Sequence, residues 1–289
     1  MLKRLMLILM VILSLEGISQ RATSAIVDDT LFDYFTRLRT IQNIDKKLAL
    51  NDSILEIFGR ILKEKDSFEH GFDTLKTIGK ILSPDEKFRL INWNIIKPDG
   101  TYNYYCFVQF YNEDKDEIRL TELHDASDSI ADPEKQVLMA DQWSGALYYE
   151  IVPAKVKRRN HYLLLGWDGG DLFVNRKVID VLSFSSSGVP RFGKSVFKFK
   201  KDRKKRVVFE FSYMATMRLF YDDDIDMVVF EHMTPIKPSL KGQKVAYGSD
   251  LTFDGLEFED GKWVLRENLD VKNSKKQLNK RKKDISYTF

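Results

Sequence analysis

The sequence has very little cysteine, with one residue, Cys106, among 289. A lone cysteine excludes an internal disulfide and any cysteine-rich metal module. The numbers of glycine and proline residues are also low, at 15 and 7, which excludes collagen-like and low-complexity classes of protein. Aromatic residues are plentiful by contrast, with 20 Phe, 12 Tyr and 4 Trp. Such residues can bury a large apolar area, so we expect a folded protein of one or two domains.

Catalytic motifs are equally scarce. The four histidines lie far apart in the sequence: His70, His124, His161 and His232. None has a zinc-binding spacing, and no G-x-S-x-G segment marks a nucleophile. On its strand Cys106 alternates in phase with apolar and aromatic residues, so we interpret it as a core residue. We therefore predict no catalytic residues and no cofactor, although a Ser-His-Asp site assembled only in three dimensions is left open.

One segment matches the phosphate-binding loop pattern G-x-x-x-x-G-K-[ST], at Gly188–Ser195. That loop must open a helix whose amides face the phosphates. The residues that follow, 196–200, alternate like a strand, and Pro190 removes one amide donor. We therefore interpret the segment as a hairpin turn.

The first 19 residues have the three parts of a secretory signal peptide. Lys3 and Arg4 are followed by an apolar run from Leu5 to Leu15, and then by small residues up to Ser19. The run is too short for a comfortable membrane span, although an N-terminal anchor or a buried helix remains an alternative. We predict cleavage after Ser19 or Ala25. The protein is then exported, and is periplasmic, outer-membrane-associated or secreted, with no transmembrane span in the mature chain.

Residues 20–83 are predicted to form a helical N-terminal unit. Three apolar stripes with helical spacing begin at Leu31, Ile54 and Phe72, and the third ends at Leu82 before Ser83-Pro84. Asn51, Asp52 and Ser53 are candidate caps for the second helix. Because short amphipathic helices need a partner surface, we expect this unit to pack on the rest of the chain.

Residues 84–271 are predicted to form a mainly antiparallel β body, which makes the fold α+β. Pro98-Asp99-Gly100-Thr101 separates two aromatic and β-branched runs and indicates a hairpin. Further short strands follow at intervals of roughly 10–15 residues, which favours antiparallel meanders over βαβ units. A sandwich, a curled sheet and part of a propeller all fit this pattern. Residues 133–141 are expected to form a short helix.

Aromatic and acidic residues are concentrated in the middle of the body, and six of them are candidate binding residues: Trp143, Tyr148, Tyr149, Trp167, Asp168 and Asp171. Exposed aromatic rings beside carboxylates suit a carbohydrate or peptide ligand. The competing interpretation is a β core with tyrosine hydroxyls at its edge.

Three aspartates, Asp222, Asp224 and Asp226, have the spacing of the first ligands of a calcium loop. The loop's sixth and twelfth positions hold Met227 and Met233 in place of glycine and an acidic ligand. The alternative is an acidic turn between two strands.

The last 18 residues, 272–289, are predicted to be a flexible basic tail. Between Lys272 and Lys283 there are seven cations and no acidic residue. Six of them form the densest group: Lys275, Lys276, Lys280, Arg281, Lys282 and Lys283. Such a segment builds no core, so it serves solubility or docks on an anionic surface such as lipid headgroups or an acidic partner. Nucleic acid is excluded as a partner by the predicted export.

Several segments resemble an uncharacterised group of exported proteins in Bacteroidota: residues 146–153, 162–171, 176–184, 247–258 and 261–263. The resemblance extends from about Asp29 to Asp270, and the basic tail is less typical of the group. It implies an envelope or secreted location and supplies no functional residues.

These observations favour a non-enzymatic envelope protein that binds a protein partner, a glycan or a surface component. The alternative is a periplasmic or secreted hydrolase. A deep pocket that collects two carboxylates or a His–Asp pair would favour the hydrolase, whereas filled cores with an aromatic surface would favour binding.

Overall fold

A computed structural model of the chain describes residues 26–154, 161–199 and 203–270. The predicted signal peptide and basic tail lie outside the described residues. The chain divides into two compact units. Unit 1 contains the residues up to Ile61 together with Glu69–Thr77, and unit 2 contains Leu62–Phe68 and the chain from Ile78 onwards.

The described residues of unit 1 form two α-helices, α1 over residues 26–40 and α2 over Ile44–Ile61. Phe35 of α1 and Phe58 of α2 bring their ring centroids to 6.2 Å, and Phe72 meets Phe58 edge-on at 5.6 Å. The predicted caps at residues 51–53 are wrong, because α2 begins earlier and Asn43 caps it by accepting the Lys46 amide at 2.9 Å. The helical interior tolerates Ser53 since its hydroxyl donates to the Ala49 carbonyl.

The third predicted helix, from Phe72 to Leu82, is also wrong. Phe72 has a φ of +48°, which a continuing right-handed helix does not allow. Turns follow it, and Gly79–Leu82 then forms a strand that pairs with the next strand of the body. Phe72, Leu75 and Ile78 are still buried, whereas Leu82 is 47% exposed. The spacing therefore indicated burial correctly up to Ile78 and the secondary structure incorrectly.

The described residues of unit 2 form fourteen strands. They are β1 Gly79–Leu82, β2 Phe88–Ile96, β3 Tyr102–Asn112, β4 Glu117–His124, β5 Leu147–Ala154, β6 His161–Asp168, β7 Val174–Phe184, β8 Pro190–Phe192, β9 Phe197–Lys198, β10 Val207–Ser212, β11 Leu219–Asp222, β12 Met227–Pro235, β13 Tyr247–Glu259 and β14 Lys262–Arg266. The helix expected at 133–141 is a turn followed by a short 3₁₀ helix, Ala140–Gln142, because Leu138 pairs with Phe192 instead.

The strands form three sheets. Sheet 1 is the antiparallel meander β1-β2-β3-β4. Sheet 2 has the order β10-β7-β6-β5, with β8 also paired to β7. Sheet 3 has the order β11-β12-β13-β14-β9, in which the β14–β9 pair is parallel. The predicted α+β class with a mainly antiparallel body is therefore confirmed, and so is the hairpin at residues 98–101, where Gly100 takes a φ of +82°.

Sheet 2 contributes to two hydrophobic cores. We call the cluster that joins sheets 1 and 2 the first core, and the cluster that joins sheets 2 and 3 the second core. Along β6, Leu164 enters the first core while Leu163 and Leu165 enter the second. Because successive side chains point to opposite faces, this strand is apolar and buried on both sides. Among the described residues, no helix is long and apolar enough to cross a membrane.

Candidate functional site

Two of the six predicted binding residues, Trp143 and Tyr148, lie inside the first core. The Trp143 indole Nε1 donates to Tyr148 Oη at 3.0 Å, and Tyr148 Oη donates to Asp180 Oδ2 at 3.0 Å. Burial, and then the Asp180 charge, raise the pKa of Tyr148 well above its ordinary value. The tyrosine is therefore a fixed hydrogen-bond donor. For these two residues the structure supports the interpretation as a β core.

The Asp180 carboxylate is wholly buried, and it faces the equally buried guanidinium of Arg206. Arg206 Nε lies 2.9 Å from Asp180 Oδ2, and Arg206 Nη1 donates to the Pro133 carbonyl. Burial lowers the pKa of Arg206, but the charge and hydrogen bond of Asp180, with smaller contributions from Tyr148 and Glu134, together make the net change upward. Both groups are therefore charged inside the core, where each depends on the other.

Asp168 supports the turn between β6 and β7. Its Oδ1 accepts hydrogen bonds from Tyr104 Oη at 2.9 Å and from the Gly170 amide at 2.8 Å. Its Oδ2 accepts from Arg176 Nη1 at 3.0 Å. Burial is the main reason that the pKa of Tyr104 is raised, with the Asp168 charge second. The carboxylate thus has structural partners on both oxygens.

Asp171 fixes the tip of the same turn. Its Oδ1 accepts the amides of Phe173 at 2.7 Å and Val174 at 2.9 Å. The Tyr213 amide in turn donates to the Phe173 carbonyl at 3.0 Å. The turn before β7 and the turn after β10 are consequently joined side by side.

Four large apolar side chains point into solvent from these two turns, and we call them the apolar end. Their exposed fractions lie between 55% and 81%, and they are Leu172, Phe173, Tyr213 and Met214. Exposed apolar residues that occur singly are ordinary, but a group held on adjacent turns is typical of an interaction surface. Asp171 is a predicted binding residue of this loop, whereas no sequence pattern marks its apolar neighbours.

Tyr149 and Lys177 form a separate contact at the rim of the second core. Lys177 Nζ lies 4.5 Å from the centre of the Tyr149 ring and 3.4 Å from its Oη, and Tyr149 Oη donates to the Leu219 carbonyl at 2.8 Å. Burial lowers the pKa of Lys177 to about 8. Trp167 is opposite Lys177 in the β6–β7 ladder. The Trp167 ring itself meets the Tyr102 ring edge-on at 5.3 Å. The six predicted binding residues are thus divided between a core, a turn, this rim and the contact with Tyr102.

Asp222, Asp224 and Asp226 lie in the tight turn between β11 and β12. The Asp224 amide donates to Asp222 Oδ1 at 3.0 Å, while Tyr221 Oη donates to Asp226 Oδ1. Over the ranges that the structure describes, no group of three or more His, Cys, Asp or Glu residues is arranged to hold a metal ion. The contacts of the three aspartates therefore correspond to an acidic turn between two strands, which was the alternative to a calcium loop.

Gly188–Ser195 and Cys106 have the structures that the sequence indicated. Gly188 and Gly193, with φ of +76° and +87°, flank the short strand β8, and a further strand, β9, follows without a helix. Cys106 is buried in the first core, and burial raises the pKa of its thiol. Neither segment has the geometry of a phosphate loop or of a nucleophile.

Two histidines form pairs with aspartates that are distant in sequence, and no sequence pattern marks either pair. In unit 1, His70 Nε2 lies 2.9 and 3.0 Å from the two carboxylate oxygens of Asp28. In unit 2, His232 Nδ1 lies 2.8 Å from Asp254 Oδ2. Asp254 is buried, and its other oxygen accepts the Asn268 amide at 3.0 Å. Asp254 is thus oriented by the backbone and in turn orients His232.

A local irregularity between β12 and β13 positions His232. The strand register jumps there, so that the single residue His232 faces residues 250–252 of β13. Leu251, in the middle of that bulge, has a φ of +69°. Bulges of this kind redirect side chains and are common beside functional sites. No sequence pattern marks the bulge, because its length depends on pairing between two strands.

His232 lines an open groove of about 400 Å³ together with six other residues: Met233, Thr234, Pro235, Pro238, Lys241 and Tyr247. The histidine side chain is 49% exposed. Because Asp254 engages Nδ1, Nε2 is the ring nitrogen available to a ligand. The groove combines apolar walls with a few polar groups, as binding sites do.

No family model, curated protein or solved structure matches the chain. A proposal about its function therefore rests on the fold and on these sites.

Proposed function

We propose that this is an exported, non-enzymatic protein of the cell envelope that binds a protein partner through its apolar end. The observation that carries the proposal is the group of four exposed apolar side chains on two joined turns. Aliphatic Leu172 and Met214 suit an apolar protein surface better than a glycan, which is recognised by flat aromatic faces and hydrogen bonds.

The shape of the apolar end supports binding because it is held in place before any partner arrives. Asp171 accepts two amides of its turn, and the Phe173 carbonyl accepts the Tyr213 amide. Leu172 also lies against the β2–β3 hairpin, where a Cβ added to Gly100 would approach Leu172 Cδ2 to 2.3 Å. A fixed surface loses little conformational entropy on association.

The basic tail adds a second contact to this proposal. Its cations, from Lys275 to Lys283, would attract an anionic membrane surface or an acidic partner and make the association sensitive to salt. The predicted signal peptide and the resemblance to exported Bacteroidota proteins support a periplasmic, outer-membrane-associated or secreted location.

The test compares matched substitutions at two hairpin tips. Phe173→Ser and Met214→Ser change the apolar end, whereas Ile225→Ser changes an exposed apolar residue in the β11–β12 turn. Each protein is cross-linked in native envelope fractions and the products are compared. We expect one specific cross-linked product that weakens at least fivefold in the first two variants and persists in the third. Equal products from all three variants would contradict the proposal.

The second candidate is a hydrolase at the groove, and the His232–Asp254 pair is the observation that favours it. An aspartate on Nδ1 leaves Nε2 of the neutral ring able to take a proton from water. Within the described residues no hydroxyl or thiol hydrogen-bonds Nε2, so a serine- or cysteine-type triad is not assembled there. Turnover of ester, phosphoester, glycoside or peptide substrates that disappears in His232→Gln would establish this candidate in place of the first.

A further inference from the structure

The segment that borders the groove is strongly basic. Residues 236–246, between β12 and β13, contain Lys237, Lys241 and Lys244 and no Asp or Glu. Lys241 lines the groove, and Lys244 Nζ lies 4.9 Å from the centre of the Tyr247 ring. Within the described residues none of these three lysines is paired with a carboxylate. Their charge is therefore available to a ligand.

Three hydrogen-bond donors border the same space. Lys241 contributes its ammonium group. The Tyr247 hydroxyl accepts the Gly242 amide at 3.0 Å, so its own proton can be donated to a ligand. His232 presents Nε2, since Nδ1 is engaged by Asp254.

The remaining walls of the groove offer a ligand few hydrogen bonds, with the hydroxyl of Thr234 as the exception. Met233 has an apolar side chain, and Pro235 and Pro238 have no backbone N–H. A ligand with several acceptor oxygens would therefore be directed toward the three donors.

We propose that this groove binds a phosphate-type oxyanion through His232, Lys241 and Tyr247. Because Asp254 accepts the Nδ1 proton, a neutral His232 ring presents a lone pair at Nε2, which repels an anion. The imidazolium form presents an N–H there and donates a charge-assisted hydrogen bond. Binding therefore takes up a proton at His232.

The charged and titratable groups around His232 agree with this linkage. They come from β12, from β13 and from the basic segment: Glu231, Asp250, Asp254, Lys241, Lys244 and Tyr247. Asp250 and Asp254 are the carboxylates nearest the ring, and the lysines favour the anion. This inference is independent of the proposed partner binding at the apolar end.

The test is a titration of the full mature chain with inorganic phosphate, followed through the ring Hε1 signals of the four histidines by NMR. We expect a saturable shift of the His232 signal alone, with an affinity that increases as the pH falls. Lys241→Gln should weaken binding about tenfold, the size of one charge-assisted hydrogen bond. His232→Gln should weaken it similarly and remove the part of the pH dependence that comes from the histidine, leaving only that of phosphate itself.

The matched control is Lys237→Gln, which removes the same charge from the same segment but not from the groove wall. It should change the affinity less than twofold. Equal weakening by Lys237→Gln and Lys241→Gln would show a general charge effect and would overturn the site.

A second arm identifies the source of the phosphate group. Vesicles of phosphatidylglycerol, with phosphatidylcholine vesicles as the control, replace inorganic phosphate. Binding to the anionic vesicles that Lys241→Gln weakens, but Lys237→Gln does not, would identify a lipid headgroup as the ligand. Binding of inorganic phosphate alone would identify a small soluble ligand. Saturable binding of neither would refute the proposal.

Discussion

The two cores on either side of sheet 2 contain different kinds of buried polar group. The first core contains a connected network in which Trp143, Tyr148, Asp180 and Arg206 contact one another in sequence. The second core has no such network among the described residues. At its edge both ring nitrogens of His161 are buried without a hydrogen-bond partner, and so is the indole nitrogen of Trp263.

Because their buried polar groups differ, we expect the stability of the two cores to respond to different changes. A buried ion pair is costly to break because the remaining charge loses its compensation, so the first core depends on both charges being present. A buried neutral imidazole is costly to protonate, so the second core depends on pH. The two cores are thus vulnerable to different changes, although one sheet builds both.

The largest expected effect is at Asp180. Asp180→Ala leaves the Arg206 guanidinium charged and buried without its carboxylate, and it removes the acceptor of the Tyr148 hydroxyl. We expect a loss of about 3–5 kcal/mol in the free energy of unfolding, measured by urea denaturation at pH 7.

The double variant Asp180→Leu with Arg206→Met is the control for this prediction. Removing both charges together should recover most of the loss, since apolar replacements of a buried pair are often close to neutral. If Asp180→Ala costs less than 1 kcal/mol, the pair does not have the role assigned to it in the first core.

The next largest effect on stability is expected from substitution of two adjacent residues of β6, one in each core. Leu164 faces the first core and Leu163 the second, and both side chains are fully buried. Leu164→Ala and Leu163→Ala should each cost about 3 kcal/mol in urea denaturation, from lost apolar burial plus the cavity that remains. A loss below 1 kcal/mol in only one of them would show that this core is loosely packed.

A smaller effect, confined to acidic pH, is expected at His161. Burial, and then the charges of Lys194 and Lys262, lower the pKa of His161 from 6.5 to about 4. The unfolded chain therefore binds a proton at His161 more readily than the folded chain does. The stability from this group is fully present above about pH 6.5, and it is lost as the pH falls toward 4.

Between pH 7 and pH 5 the stronger proton binding of the unfolded chain at His161 lowers the free energy of unfolding by about 2 kcal/mol. His161→Leu should reduce that part of the pH dependence, while Asp180→Ala should leave it in place. The measurement is urea denaturation at several pH values between 7 and 4. An unchanged slope in His161→Leu would contradict the assignment of acid sensitivity to the second core.

Much of the architecture could be predicted from the sequence, because short-range patterns specify it. The turn at Gly100, the strands rich in β-branched and aromatic residues and the two apolar helices each have a local cause. The segment before Leu82 was misassigned because its apolar spacing fits a helix, whereas pairing with β2 made its end a strand. Strand β13 has no clear alternation in the sequence, because Gly, Ser and Asp residues interrupt it, and its long pairing with β12 stabilises it instead.

The candidate sites could not be predicted in the same way, because long-range pairing creates them. His232 and Asp254 are 22 positions apart, and only the bulge between β12 and β13 brings them to 2.8 Å. The apolar end likewise needs the turns at Phe173 and Tyr213 to be neighbours. Conversely, Trp143 was predicted to bind a ligand but lies in the first core. Aromatic residues are common both in cores and in binding sites, so their presence in the sequence does not distinguish the two.

The smallest expected effect on stability is at the apolar end, which is as apolar as either core but lies in water. Phe173→Ser and Met214→Ser should each change the free energy of unfolding by less than about 0.5 kcal/mol, because an exposed side chain removes little area from water on folding. Urea denaturation of both variants, beside Leu163→Ala, measures this contrast directly. A loss above 1.5 kcal/mol in either serine variant would mean that its side chain stabilises the fold as a core residue does. An unchanged stability together with a lost cross-linked product would instead separate binding from folding, since these side chains would then contribute to association alone.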